Sequence, residues 1–238
     1  MGDRIELITE GGRAMTAYRA LPEGGRGPVV IVLQEIFGVN PAMRAVADDL
    51  AAEGFVALVP DLFWRLETGV ELAYDDAGLQ RAFGLWKSFD LEQGVKDVGA
   101  AVDYARSAPE GSGKVAVLGF CLGGQLAVRV GAAKEPDAVV SFYGTKLGEN
   151  LESIEAITCP TVFHFGDADQ HVPAEVRAAV AAVAAGKPSM DVNVYADAGH
   201  GFFNRFRAQG FQQAAHDAAW PKTIDLLRGA LTPAALRA

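Results

Sequence analysis

Cysteine is scarce: the chain has two, Cys121 and Cys159, far apart in the sequence. They make neither a disulfide framework nor the paired spacing of a zinc site, so no staple or structural metal is expected. Long hydrophobic runs are missing as well. No apolar stretch approaches the roughly 20 residues that span a bilayer. The opening MGDRIELITEGG is polar and acidic, unlike the basic head and apolar stretch of a secretory leader, and Glu6 stands where an N-terminal acylation signal requires Ser or Thr. Basic residues are in the minority, 21 Lys and Arg against 30 Asp and Glu, and they form no run. That balance argues against nucleic acid and against a membrane surface as partners. These absences leave a soluble globular protein, expected in a reducing cytoplasm.

What is present is an apolar half of the composition and a charged fifth, ordinary for a globular chain. The length fits one α/β domain, since such folds run to about 200–250 residues without splitting. No repeat, low-complexity segment or linker interrupts it, so a single domain over 1–238 is expected. Segments 5–8 and 15–21 read as an antiparallel hairpin turned by Gly11 and Gly12. The aliphatic run 29–33 suits a central strand covered on both faces. A helix is expected over 41–53, with Asn40 as cap, Pro41 in the first turn and Gly54 closing it. A strand follows at 55–59, then an aromatic loop over 60–74 with Trp64 and Arg65, of a length typical of functional or mobile segments.

Residues 75–107 are helical with a break near 88–90, and Leu91, Val95, Val98, Val102 and Ala105 mark a core-facing stripe. Strands at 138–143, 161–165 and 190–195 alternate with helices over 173–185 and 209–228, the last with Phe211, Ala215, Ala218, Ile224 and Leu227 as its apolar positions. The alternation implies a mostly parallel central sheet with helices on both faces, and the hairpin as an N-terminal antiparallel addition. In such sheets functional loops gather beyond the carboxyl ends of the strands. Glu35, Cys121, Asp169 and His200 each follow a predicted strand, and are expected to share that edge.

The stretch 114–130, KVAVLGFCLGGQLAVRV, organises the rest. It reads as a buried strand, a glycine-bracketed hinge and a small-residue helix. In G-x-C-x-G the middle residue sits at the apex of a strained turn, tolerable because the residues two before and two after lack side chains. A sulfur there lies beside a helix N-terminus, whose amides and dipole favour a thiolate and a developing oxyanion. The plainer alternative is a cysteine used as a small core hydrophobe. A nucleophile needs a base, and the base an orienting acid. Of four histidines, His164 lies inside the strand TVFHF, His171 two residues from the acid loop and His216 in the terminal helix, whereas His200 occupies a glycine-flanked loop after the last strand. Asp167 and Asp169 compete for the acid. Asp167 follows Gly166 and suits a turn cap, so Asp169 is preferred. The order nucleophile, acid, histidine is that of α/β-hydrolases.

GFCLGG, GDADQHVP, DAGHGF and VLQEIFGVN, with LWKSFD, together resemble the dienelactone hydrolase family, a branch of the α/β-hydrolases with a cysteine nucleophile. The resemblance runs from about Val29 to Leu227. It implies Cys121, Asp169 and His200 as a triad, Glu35 as the carboxylate that takes the thiol proton when substrate binds, and the amides of Leu122 and Ile36 as an oxyanion hole. It further implies hydrolysis of a small ester or lactone through a thioester, with no metal and no organic cofactor; the sequence leaves the oligomeric state open between a monomer and a small homo-oligomer. The family's two carboxylate-clamping arginines fall here on Leu79 and Asn204, with Arg81 and Arg205 one or two residues away. Phe37, Phe83, Trp86 and Phe202 are candidate pocket walls. Alternatives are a carboxylesterase of different range, a ligand-binding relative with little turnover, and a redox-sensing thiol.

Overall fold

The computed structural model describes residues 2–232. The chain divides into two compact units, one ending at Val115 and the other starting at Ala116. Among the described residues there are eight strands, mostly parallel, and seven α-helices.

In the first unit, β1 (Asp3–Ile8) and β2 (Ala14–Ala20) form the expected hairpin, with Leu7 opposite Met15. Its turn runs through Gly11 and Gly12 at φ +89° and +77°, backbone that glycine adopts without steric cost. β3 (Gly27–Leu33) pairs parallel with β4 (Val56–Pro60), and β4 antiparallel with β2, giving the order β1-β2-β4-β3. Five aliphatic side chains from Val29 to Leu33 are fully buried, as an unbroken apolar run requires. Between β3 and β4, α1 (Pro41–Ala52) starts where Asn40 accepts the amides of Ala42 and Met43. That satisfies two of the donors a helix start leaves open.

The aromatic loop after β4 is pinned. Asp61 accepts the amides of Phe63 and Gly69, and Phe63 and Trp64 are buried. α2 (Asp76–Ser88) and α3 (Leu91–Ser107) follow, capped by Asp75 and Asp90, with the break where it was expected. Asp97 of α3 takes both ends of the Arg65 guanidinium at 2.7 and 2.8 Å and the Trp64 indole N–H at 3.0 Å, tying loop to helix. Val98, Val102 and Ala105 form the core stripe of α3 with Ala101, while Leu91 and Val95 are only half-buried.

In the second unit β5 (Gly111–Phe120), which enters from the first, is followed by α4 (Leu122–Lys134), β6 (Ala138–Phe142), α5 (Leu151–Ala156), β7 (Thr161–Gly166), α6 (Ala174–Ala185), β8 (Met190–Tyr195) and α7 (Gln213–Leu231). The strands run parallel in the order β5-β6-β7-β8. α4 and α7 both pack on β6. α5 was not anticipated, and α7 begins four residues later than expected. Phe211 lies before it, and Ala219 rather than Ala218 is buried, beside Ala215, Thr223, Ile224 and Leu227. The start is fixed by Gln212, whose side chain accepts the Ala215 amide.

Candidate active site

Cys121 sits between β5 and α4 with φ +55° and ψ −112°, a conformation costly for any residue with a Cβ. Three backbone bonds hold it there. Its N–H donates to the Phe142 carbonyl at 3.1 Å, and its carbonyl accepts the amides of Gln125 at 3.1 Å and Thr145 at 3.3 Å. Gly119 makes the turn sterically feasible: a Cβ there would lie 2.0 Å from the carbonyl oxygen of Gly123. The side chain is half-buried. At a helix start the amides of Leu122 and Gly123 have no acceptor within the helix, and Leu122 itself is 1% exposed.

The loop after β7 brings in Asp169 and the loop after β8 brings in His200. Asp169 is wholly buried in its side chain and His200 nearly so, with Nδ1 donating to Asp169 Oδ2 at 2.9 Å. Oδ1 accepts the amides of His171 at 2.7 Å and Val172 at 3.3 Å. The Asp169 carboxylate is therefore held by three donors. Burial works against its charge, but His200 and the His171 amide outweigh burial and keep its carboxyl below the usual range. For His200 burial again opposes charge. Negative charge on Cys121, with which it shares a hydrogen bond, and the bond to Asp169 prevail and push the imidazole up to about 10. The arrangement thus favours a protonated imidazole between Cys121 and the Asp169 carboxylate.

The rejected candidates have other employment. Asp167 is exposed and uses its backbone, the amide donating to Tyr195 and the carbonyl accepting from Arg177. His216 stacks on Phe203 at 4.4 Å and bonds Asp217. His164 is fully buried, with Nδ1 2.8 Å from the Tyr195 hydroxyl and Nε2 3.1 Å from Thr223 Oγ1. Thr223 spends its one proton on the Ala219 carbonyl. It must therefore accept from Nε2–H, leaving Nδ1 to accept the Tyr195 proton. Burial, aided by Lys222, lowers this imidazole to about 3.

Two residues touch His200 that the sequence reading gave no part in the site: Tyr143, which it took as a strand end, and His171, which it set aside as a base. Tyr143, at φ +37° just after β6, sets its ring 5.0 Å from the imidazole, edge to face. The His171 ring lies 4.7 Å from it. Tyr143 was hidden because nothing in FYG distinguishes a site aromatic from a strand end.

The remaining candidates belong to the first unit, to the surface or to the core. Glu35 is 2% exposed and accepts the Tyr74 hydroxyl at 3.1 Å. Ile36 and Phe37 are buried, Phe37 against the Tyr74 ring at 4.6 Å. Arg81 forms an exposed ion pair with Glu67. Phe83 and Trp86 meet edge to face on α2, with Phe83 exposed. Arg205 is exposed, its guanidinium 5.8 Å from the Phe206 ring. Phe202 is fully buried among Phe142, Tyr143 and Tyr195, a core position that offers no surface to a ligand. Among the described residues, no group of His, Cys, Asp and Glu is arranged to hold a metal ion, and no helix is long and apolar enough to cross a membrane.

The profile of the dienelactone hydrolase family matches residues 15–231. The chain is 40% identical over 225 residues to a carboxymethylenebutenolidase of Pseudomonas sp. (strain P51), with 94% of each chain covered. It is 35% identical over 228 residues to carboxymethylenebutenolidase 1 of Cupriavidus pinatubonensis, covering 95% of this chain and 97% of that one. Among solved structures it is similar to the dienelactone hydrolase-like promiscuous phosphotriesterase P91 from metagenomic libraries, with a TM-score of 0.81, 25% identity, and 97% and 99% of the two chains covered.

Proposed function

The chain belongs to the dienelactone hydrolase family, with its α/β-hydrolase fold, and from that premise we propose that it hydrolyses small lactones or esters through a thioester on Cys121. The observation that carries the reading is the hydrogen-bonded series Cys121, His200, Asp169, with Cys121 on a strained elbow and the imidazole raised to about 10.

The Cys121 thiolate adds to the substrate carbonyl carbon. The oxyanion is received by the amide of Leu122 and, on the family pattern, that of Ile36. His200 gives its proton to the departing oxygen as the carbon–oxygen bond breaks, leaving a thioester. In a lactone that oxygen stays tethered, so the ring opens without releasing a fragment. His200, now neutral and oriented by Asp169, takes a proton from water, whose oxygen adds to the thioester. Collapse expels the thiolate, releases the acid and restores the imidazolium pair. The family resemblance gives Glu35 a part in handling the thiol proton, and Glu35→Gln tests it: unchanged thiol reactivity and turnover remove it from the mechanism.

Two observations favour neutral substrates over carboxylate-bearing ones. Leu79 and Asn204 stand where the family clamps a carboxylate, and the neighbouring Arg81 is engaged with Glu67. A guanidinium already paired with one carboxylate is less available to a second. The test is a p-nitrophenyl acetate assay with rapid mixing, followed by a panel of lactones with and without a carboxylate. A burst of p-nitrophenol and a mass increase on Cys121 are expected. Turnover that survives Cys121→Ala would overturn the reading, as would a ligand-binding protein's failure to produce either signal.

A further inference from the structure

We propose that His171 is a positioning residue for this chemistry, bracing the His200 imidazole when neutral and opposing the Cys121–His200 ion pair when protonated. The inference rests on the triad proposed above. Its observation is a second imidazole at contact distance from the first: ring centroids 4.7 Å apart, planes at 64°. The same residue's backbone amide donates to Asp169 Oδ1 at 2.7 Å, so one residue fixes the acid through its main chain and meets the base through its side chain. The Tyr143 ring, at 5.0 Å, is the other aromatic edge on His200.

Geometry makes the two imidazoles electrically coupled. The charged groups acting on the His171 ring are His200, Asp169 and Arg207, while Cys121 acts through its hydrogen bond to His200. Arg207 also reaches the His200 carbonyl at 3.5 Å, and Arg177, on α6, is directed at the carbonyls of Val172 and Asp167. Burial first, then the positive charges of His200 and Arg207, lower the His171 imidazole against the opposing pull of Asp169. It is therefore neutral while the triad carries its imidazolium. In more acid solution it gains a proton, and two cationic rings then stand in contact. Because coupling between two titrating groups is reciprocal, the charge that made His171 hard to protonate also makes His200 hold its own proton less tightly. With its imidazole holding the proton less tightly, His200 offers less positive charge to the Cys121 sulfur beside it, and the sulfur becomes a poorer nucleophile. Packing alone predicts no such dependence on acidity.

The experiment reads the sulfur directly and needs no substrate, so a failure of the lactonase reading leaves it intact. Wild type, His171→Phe and His171→Gln are alkylated with iodoacetamide between about pH 5 and pH 8, the range in which histidine charge changes, and the label on Cys121 is quantified by mass spectrometry. Phe keeps an aromatic ring at the position, Gln keeps polarity, and neither takes a proton. Both variants are expected to be alkylated about threefold or more faster than wild type near the acid end, since the opposing charge is gone. Superposable rate–pH curves for the three proteins would overturn the proposal.

Discussion

Two histidines of the second unit, both enclosed by protein, titrate in opposite directions, and the contrast shows what burial alone does not decide. His164, on β7, stacks on Phe142 and has only neutral hydroxyls as hydrogen-bond partners, those of Tyr195 and Thr223. Nothing there compensates a positive charge, and the imidazole falls to about 3. His200, at the loop after β8, has an aspartate on one side and a cysteine on the other, and it rises to about 10. Desolvation is the largest influence at both, and it acts in the same sense. Paired anions reverse it at one and not the other. The first histidine is a hydrogen-bonding spacer, and the second has the charged surroundings that the proposed acid–base role requires.

The largest expected effect comes from removing the sulfur that His200 faces. Cys121→Ala should lower ester turnover by about ten-thousandfold or more, with the fold intact by circular dichroism. Asp169→Asn keeps an acceptor oxygen but drops the charge. The expected loss in kcat is roughly a hundredfold to ten-thousandfold, and NMR should show the His200 titration moving down from about 10. A midpoint that stays put would break the comparison at its base.

Acid stability sharpens it. The folded-state value of His164 is depressed, so the unfolded chain binds a proton below about pH 6.5 that the native state refuses until about pH 3. Stability attributable to this site should therefore fall by about 1.4 kcal/mol per pH unit across that window. His200 has the opposite sign: its contribution is full below the unfolded value and is lost as pH rises towards about 10. His164→Gln, measured by urea unfolding at neutral and mildly acid pH, should cost about 1–2 kcal/mol at neutrality and flatten the acid slope. An unflattened slope would assign the acid sensitivity elsewhere. The smallest effect is expected from Tyr195→Phe, which removes the proton donated to Nδ1 of His164. A loss of about 1 kcal/mol is expected, with the acid slope retained.

The elbow was readable because its chemistry is constrained by backbone geometry. Gly119 cannot be anything larger against the Gly123 carbonyl, and strand, glycine and helix leave a periodic trace. That Asp169 and His200 would meet was readable from their place after strands. α5 left no such trace. LESIEA is a helix of six residues with no side-chain cap at its start, held by burial of Ile154 in a cluster with Leu147, Phe163 and Val180, contacts distant in sequence. The late start of α7 turns on one Gln212 side chain. A length rule marked the 60–74 loop as functional or mobile, but its order comes from Asp97, more than twenty residues beyond it, which no local pattern connects to Trp64 and Arg65. Phe202 and Tyr143 illustrate the same limit. An aromatic near a catalytic loop reads alike whether it is core or wall.

The clearance at Gly119 has one more implication. The gap between the last turn of a strand and the first turn of the following helix is set there by the width of a hydrogen atom. A methyl group at 119 would force strand and helix apart and carry the sulfur with the helix, shifting it from its imidazole by a fraction of an ångström or more. The place of Cys121 at the head of that helix is thus set in part by a residue that has no functional group.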